Sequence, residues 1–217
     1  MKKQSLILAS LLFVFLNTNL HAASITINTR AINQGVNNSD FIDSWGRQTS
    51  SITTNSLNEF TSFRSGRDSL SHLSVDFFNA EAEDWGFQAG LDAHYGAALY
   101  IDGNIIGSRT DDLWWSTNWN HGDVMSLLGN SLLAGAHTLD VYWAETCCDG
   151  PSSMRFTTDG ANWEALSVDN LNVVAAAAVP EPLTIGLFFI GLIGLVRQVN
   201  KNDANKNHDH SIQAVLA

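Results

Sequence analysis

The sequence predicts an all-β protein, an antiparallel β-sandwich ectodomain over residues 24–170 with an N-terminal signal peptide and a C-terminal single membrane helix. Apolar residues recur at every second position in several short stretches, which is the pattern of half-buried strands. Glycine-containing turn sequences separate these stretches, and none of them shows a convincing helical period. Short strands joined by turns are typical of antiparallel sandwiches.

The first 23 residues have the order of a secretory signal peptide. Lys2 and Lys3 precede an apolar run over residues 6–16, and small residues follow at Ala22 and Ala23. This sequence of positive charge, apolar core and small residues is typical of a cleaved export signal and not of a buried helix. We therefore expect cleavage after Ala22 or Ala23 and export through the inner membrane.

Strands are expected wherever the period-two alternation is clear. The region between the first strand and residue 72 has few signals, and we interpret it as loops and short strands, with Phe41 and Trp45 packed on the core. Residues 124–133 fit either a helix or a strand. The Asp102-Gly103 dipeptide predicts a hairpin turn. The expected strands lie near residues 24–28, 73–78, 85–92, 97–101, 104–107, 138–143, 154–156 and 163–166.

The C-terminal region divides into a linker over residues 171–178, a sorting segment over 179–199 and a polar tail over 200–217. Residues 183–196 carry no charge, and a helix of this length spans about 21 Å, less than the roughly 30 Å hydrocarbon core. A short buried or interfacial helix is the alternative. We favour a membrane helix because Arg197 stands where a cytoplasmic positive charge is expected.

Two local motifs resemble those of one class of exported bacterial proteins. Pro180-Glu181-Pro182, the apolar run and Arg197 resemble the PEP-CTERM sorting signal, which an exosortase recognises and cuts. Cys147-Cys148 with Gly150 is similar to the CCXG group of these proteins. The resemblance implies an exosortase as partner, a transient membrane anchor, and a final location at the cell surface or outside the cell.

The charge of the chain is strongly negative. There are 22 acidic and 11 basic residues, and all four lysines lie in the terminal segments. Residues 24–196 carry 20 acidic residues against six arginines, a net charge of −14. This balance argues against nucleic acid or an anionic membrane surface as partner. It fits calcium, neutral sugars or cationic partners, and it also fits simple solubility outside the cell.

Two stretches resemble the anthrax protective-antigen-type β-sandwich, a fold that fungal flocculin adhesins share. Residues 96–104 and 134–142 carry the likeness, which covers about residues 85–163. Sugar-binding members of that group hold calcium with paired aspartates in a loop. The resemblance therefore implies calcium as a cofactor, and Asp92, Asp102, Asp111 and Asp112 are the candidate ligands.

A cluster of aromatic and acidic residues follows the predicted hairpin. It contains Asp111, Asp112, Trp114, Trp115 and Trp119. An exposed indole offers a flat apolar face to a sugar ring, while carboxylates and amides bond the sugar hydroxyls. The alternative is that all three rings lie in the core, as tryptophan usually does.

The adjacent cysteines Cys147 and Cys148 are the only two in the chain. Their Cα atoms must lie about 3.8 Å apart, closer than the usual disulfide span of about 4.4–6.8 Å. We rank a vicinal disulfide first, because it would give a rigid apolar turn that could form the floor of a ligand pocket together with Asp149. A bridge to another molecule and a metal-binding dithiol are the alternatives.

The sequence favours a non-enzymatic, exopolysaccharide-associated protein that binds carbohydrate. It contains no nucleophile elbow, phosphate loop or spaced zinc-ligand pattern. A structural matrix protein without a specific ligand is one alternative. A polysaccharide-acting enzyme is another, and it would need two carboxylates facing each other across a cleft.

Overall fold

The computed structural model describes residues 22–177 of the chain. The predicted signal peptide up to residue 21, the sorting motif at Pro180-Glu181-Pro182, the expected membrane helix, Arg197 and the polar tail lie outside the described residues. Neither helix in the described part of the chain has the length and apolar character needed to cross a membrane.

The described chain consists of twelve strands and two short helices. The first half contains β1 (Ser24–Ala31), α1 (Phe41–Arg47), β2 (Thr53–Leu57), β3 (Ser69–Asn79), β4 (Glu83–Gly90), β5 (Asp92–Ala93) and β6 (Ala97–Ile101). The second half contains β7 (Asn104–Arg109), β8 (Leu113–Trp114), β9 (Met125–Leu132), β10 (Gly135–Glu145), β11 (Ser153–Thr157), β12 (Glu164–Ala165) and α2 (Val168–Ala177).

The strands form two main antiparallel sheets and one short ladder. The six-stranded sheet has the order β2-β1-β3-β10-β6-β7, and the four-stranded sheet has the order β12-β11-β4-β9. Strands β5 and β8 pair separately. Both main sheets contribute their inner faces to one hydrophobic core. The all-β sandwich that the alternating pattern predicts is therefore confirmed for the described residues.

The core forms where alternating residues of the two sheets meet. Leu73 and Val75 of β3 lie opposite Val141 and Leu139 of β10 in the six-stranded sheet, and all four are buried. Trp85 of β4, in the other sheet, packs against Phe77 with the two rings tilted and their centroids 4.7 Å apart. Burying each side chain of this kind contributes roughly 1.5–3 kcal/mol, so this core is the main source of stability.

Helix α1 covers the outer face of the six-stranded sheet. Its Phe41 is fully buried in a second apolar cluster with Tyr100 and Tyr142. The Asp40 side chain caps the helix by accepting a hydrogen bond from the Asp43 backbone N–H at 2.9 Å. The interpretation of this region as loops and short strands is wrong for residues 41–47, because two helical turns are too short for a visible period.

The structure adds detail in two further segments, the predicted linker and residues 124–133. Helix α2 includes residues 171–177 of the predicted linker; its Leu171 and Ala175 are buried, and Leu171 is part of the core. Residues 124–133, which fitted either a helix or a strand, form strand β9, paired with β4. The expected hairpin at Asp102-Gly103 joins β6 to β7.

Candidate functional site

The short β5–β8 ladder decides which tryptophan of the aromatic cluster is exposed. Asp92 pairs with Trp114, and the Trp115 backbone N–H donates to the Leu91 carbonyl at 3.2 Å. Because side chains alternate along a strand, Leu113 and Trp115 point to the side opposite Trp114, and both are buried. Trp114 points outward and keeps 62% of its surface exposed.

The loop after β8 is fixed on the outer face of the four-stranded sheet. The Trp115 ring packs directly over Gly90, at a place where no larger residue would fit. Trp119 lies 4.8 Å from Trp115 between ring centroids. The Arg155 guanidinium lies over the rings of both Trp119, at 4.5 Å, and Trp163, at 5.1 Å. Trp115 and Trp119 therefore hold the loop in place.

A cavity of about 360 Å³ opens where this loop meets the end of β10. Three segments build it: the β5 region, the residues around β8 and the turn that follows β10. Trp114 is its exposed aromatic wall. Its lining consists of Asp92, His94, Asp112, Trp114, Glu145, Cys147, Cys148 and Gly150.

The turn after β10 carries a disulfide between Cys147 and Cys148. The backbone has positive φ at Cys148 (74°) and Asp149 (47°), a region that few non-glycine residues adopt. Asp149 stabilises this turn: its carboxylate accepts the Gly66 N–H at 2.8 Å, and its carbonyl accepts Arg64. Asp149, predicted as a ligand residue, thus lies behind the cavity and holds its wall.

Asp92 lies at the base of the cavity with only 7% of its surface exposed. Its Oδ2 accepts the Gly150 N–H, and its own N–H donates to Ser152 Oγ at 3.1 Å. Burial raises the pKa of Asp92, and the nearby Asp112 and Asp149 raise it further, against the opposing effects of the Gly150 hydrogen bond and Arg64. Asp92 Oδ1 makes no hydrogen bond with any described residue.

Glu145 is the second buried carboxylate of the cavity, with 2% of its surface exposed. Its Oε1 accepts the N–H groups of Thr146 (2.8 Å) and Cys147 (2.6 Å), and its Oε2 accepts the His94 N–H (3.0 Å). Burial raises its pKa, and the hydrogen bond from Cys147 opposes this. Glu145 thus joins the two sides of the cavity through backbone hydrogen bonds.

His94 and Glu145 also line the cavity and were not among the predicted ligand residues, and Gly150 was selected only as part of the CCXG-like motif. For Glu145 a signal existed. It continues the alternation of Val141 and Trp143 on β10, so a carboxylate stands in a register that is otherwise buried and apolar. Buried carboxylates need hydrogen-bond partners, which makes such a position a candidate for a local role. No comparable signal marks His94.

The remaining predicted residues lie elsewhere. Asp111 forms an ion pair with Arg109. Asp102 accepts hydrogen bonds from the Thr138 N–H at 2.9 Å and contacts His137 Nδ1 at 2.7 Å. Of the four calcium candidates, only Asp92 and Asp112 share the cavity. Within residues 22–177, no group of three or more His, Cys, Asp or Glu side chains is arranged to hold a metal ion.

Comparison with known proteins gives structural likenesses only. No protein-family model matches the chain, and no curated protein matches it. Among solved structures, a PA14 sugar-binding domain from an RTX adhesin matches with a TM-score of 0.51 and 9% identity, over 68% of this chain and 97% of that one.

Two other solved structures match this chain with TM-scores below 0.5. The PA14 domain of the antifreeze protein MpAFP has a TM-score of 0.47 and 14% identity, covering 67% of this chain and 87% of its own. An epithelial adhesin A domain from Candida glabrata, in complex with β-lactose, has a TM-score of 0.45 and 8% identity, covering 67% and 88%. The match with the TM-score of 0.51 shows a shared fold alone: the described residues form a β-sandwich similar to the PA14 domain of that adhesin.

Proposed function

We propose that the chain is an exported carbohydrate-binding protein of the cell surface or extracellular matrix, associated with exopolysaccharide, and that the cavity beside Trp114 holds the sugar. The observation that carries the proposal is the exposed Trp114 ring beside the partly free carboxylates Asp92 and Asp112. An indole face and hydrogen-bond acceptors are the two components that sugar rings require.

The dimensions of the cavity support a short ligand. Its volume of about 360 Å³ is at the lower end of the range of small-molecule sites, about 300–1,000 Å³. One sugar unit would fill it, with the ring stacked on Trp114 and its hydroxyls donating to Asp92 Oδ1 and Asp112. The Cys147–Cys148 disulfide would form an apolar wall. The adhesin domain with the TM-score of 0.51 is named as sugar-binding, which supports carbohydrate as the class of ligand.

Binding fits the buried carboxylates better than catalysis does. A general acid or nucleophile needs a carboxyl oxygen that can reach the substrate. Both oxygens of Glu145 already accept backbone N–H groups, so this residue is an anchor for the cavity wall. Asp92 and Asp112 are the carboxylates that remain, and Asp92 has only Oδ1 free, so we assign both to hydrogen bonds with sugar hydroxyls and not to the acid and nucleophile of glycoside hydrolysis. We therefore propose a non-enzymatic role.

The test is a glycan array probed with the full chain, with and without calcium. Trp114→Ala and Asp112→Asn should each weaken binding by about tenfold, the loss expected for one stacking contact or charged hydrogen bond. Asp111→Asn is the matched control for Asp112, because Asp111 faces Arg109 outside the cavity. Calcium is part of the site if its removal abolishes binding and Asp92→Asn has the same effect.

A folded protein that binds no glycan would refute the lectin proposal and leave the structural matrix protein as the alternative. If Asp111→Asn and Asp112→Asn weakened glycan binding equally, the cavity beside Trp114 would not be the binding site. Turnover of a polysaccharide by the wild-type chain would restore the enzyme alternative.

The proposal for localisation rests on the sequence. The segment over residues 1–23 would direct export, and an exosortase would process the chain near Pro180-Glu181-Pro182 after transient anchoring by the helix before Arg197. Changing all three residues of the tripeptide to alanine should leave the protein in the membrane. Unchanged release with an unchanged mature mass would contradict this sorting mechanism.

A further inference from the structure

A second cavity, of about 270 Å³, lies at the β1–β2 side of the six-stranded sheet, and its lining differs sharply from that of the first. It contains two arginines, Arg30 and Arg67, and six serine or threonine residues. None of the described residues that line it is acidic. In a chain with twice as many acidic as basic residues, this is a local concentration of positive charge and hydroxyl groups.

Arg30 is held in place by neutral groups. Its Nη1 donates to the Trp45 carbonyl at 3.0 Å and its Nη2 to the Ser50 carbonyl at 2.5 Å. The guanidinium lies 5.3 Å from the Trp45 ring centroid. Its Nε is buried and has no hydrogen-bond partner. A fixed, half-buried cation without a counter-charge is costly, so an anion at this place would relieve the cost.

Two other arginines of this protein have a carboxylate as counter-charge. Arg47 forms an ion pair with Asp43 at 2.8 Å, and Arg109 forms ion pairs with Asp111 and Asp123. The other four arginines of residues 22–177, Arg30, Arg64, Arg67 and Arg155, form no ion pair, and Arg30 and Arg67 are the two of them that line this cavity. Two unpaired positive charges are therefore available to one ligand.

Ser50 Oγ and Ser69 Oγ donate to the backbone carbonyls of Ala31 and Gly66, but other hydroxyl groups of the cavity are free. The side chains of Ser51, Thr53 and Ser65 make no hydrogen bond with any described residue, although each can donate one. Guanidinium and hydroxyl donors together match the oxygens of a carboxylate or sulfate. Asp68 stands between Arg67 and Ser69 in the sequence and is exposed, but it does not line the cavity.

We propose that this cavity binds an oxyanion carried by an acidic polysaccharide, either the carboxylate of a uronic acid or the ester of a sulfated sugar. The anionic group would contact Arg30 and Arg67, and the neighbouring hydroxyls of the sugar would contact the serine and threonine side chains. The site is separate from the cavity at Trp114. One chain could therefore bind two chemically different parts of a matrix.

The test measures binding of the full chain to oligogalacturonate and to sulfated dextran oligomers, with uncharged dextran and inorganic sulfate as comparisons. Arg67→Gln should weaken binding of an acidic oligomer by about tenfold, the loss expected for a charged hydrogen bond. Arg67 is exposed and makes no ion pair with a described residue, so the fold should survive. Arg47→Gln removes the same charge outside the cavity and should change the affinity less than twofold.

Arg30→Gln should cause a comparable loss, and Ser65→Ala a smaller one. The site at Trp114 is left intact by these changes, so glycan binding there should not respond to them. Equal weakening by Arg47→Gln would show a general charge effect and overturn the proposal. Failure of both acidic oligomers to bind would overturn it too. Inorganic sulfate binding as tightly as the oligomers would rule out recognition of a polysaccharide.

Discussion

Replacing Gly90 by alanine would place a methyl group against the indole ring of Trp115. A Cβ at this position would lie 2.3, 2.4 and 2.5 Å from three ring atoms, whereas carbon atoms pack best at about 3.5–4.0 Å. The ring would have to retreat by about 1 Å. Overpacking of this kind costs about 1–3 kcal/mol, a substantial part of the 5–15 kcal/mol that typically stabilises a domain.

Urea unfolding of the full chain, followed by far-UV circular dichroism, would measure this loss. Gly122→Ala is the matched control, because no atom lies within 4 Å of its added Cβ. It should change the free energy of unfolding by less than about 1 kcal/mol. Because the displaced ring adjoins Trp114, Gly90→Ala should also weaken glycan binding.

A second substitution shows whether the clash with Trp115 is the cause. In a Trp115→Leu background the smaller side chain leaves room for the methyl group, so Gly90→Ala should then cost less than about 1 kcal/mol. The contact reasoning would be refuted if Gly90→Ala unfolded at the wild-type urea concentration. It would also be refuted if the cost were the same in both backgrounds.

Three further outcomes are expected. The free energy of unfolding should fall above about pH 4 in the wild type, because burial raises the pKa of Asp92 and the folded state keeps a proton that the unfolded state releases. Asp92→Asn should reduce this fall. Urea titrations at several pH values that give the same fall in both proteins would contradict this. Phe41→Ala should lower the free energy of unfolding by about 3 kcal/mol or more, measurable by the same titration. Cys147 and Cys148 should resist alkylation until reductant is added, as read by intact mass.

The strands were predictable because burial on one face leaves a direct trace in the sequence. In the middle of β3 and β10 apolar residues alternate with other residues, and the structure buries these apolar residues, which are Leu73, Val75, Phe77, Leu139, Val141 and Trp143. Helix α1 left no such trace, since its seven residues span only about two turns. Its Asp40 cap and buried Phe41 depend on the sheet it covers.

The candidate site was only partly predictable, because it depends on contacts between distant parts of the chain. The sequence presents Trp114 and Trp115 as equals. Only the pairing of β8 with β5 makes one exposed and the other buried. Asp92 and Asp112 face one cavity for the same reason. Asp111, chemically identical to its neighbour, is turned toward Arg109.

The disulfide between adjacent residues has a consequence for how the protein would respond to a reducing environment. Ordinary disulfides stabilise a fold mainly by restricting the unfolded chain, and the effect grows with the length of the loop they close. Cys147 and Cys148 close no intervening loop. Reduction should therefore leave the free energy of unfolding nearly unchanged, while the freed side chains reshape one wall of the cavity. In this protein the redox state would alter ligand affinity without altering the fold.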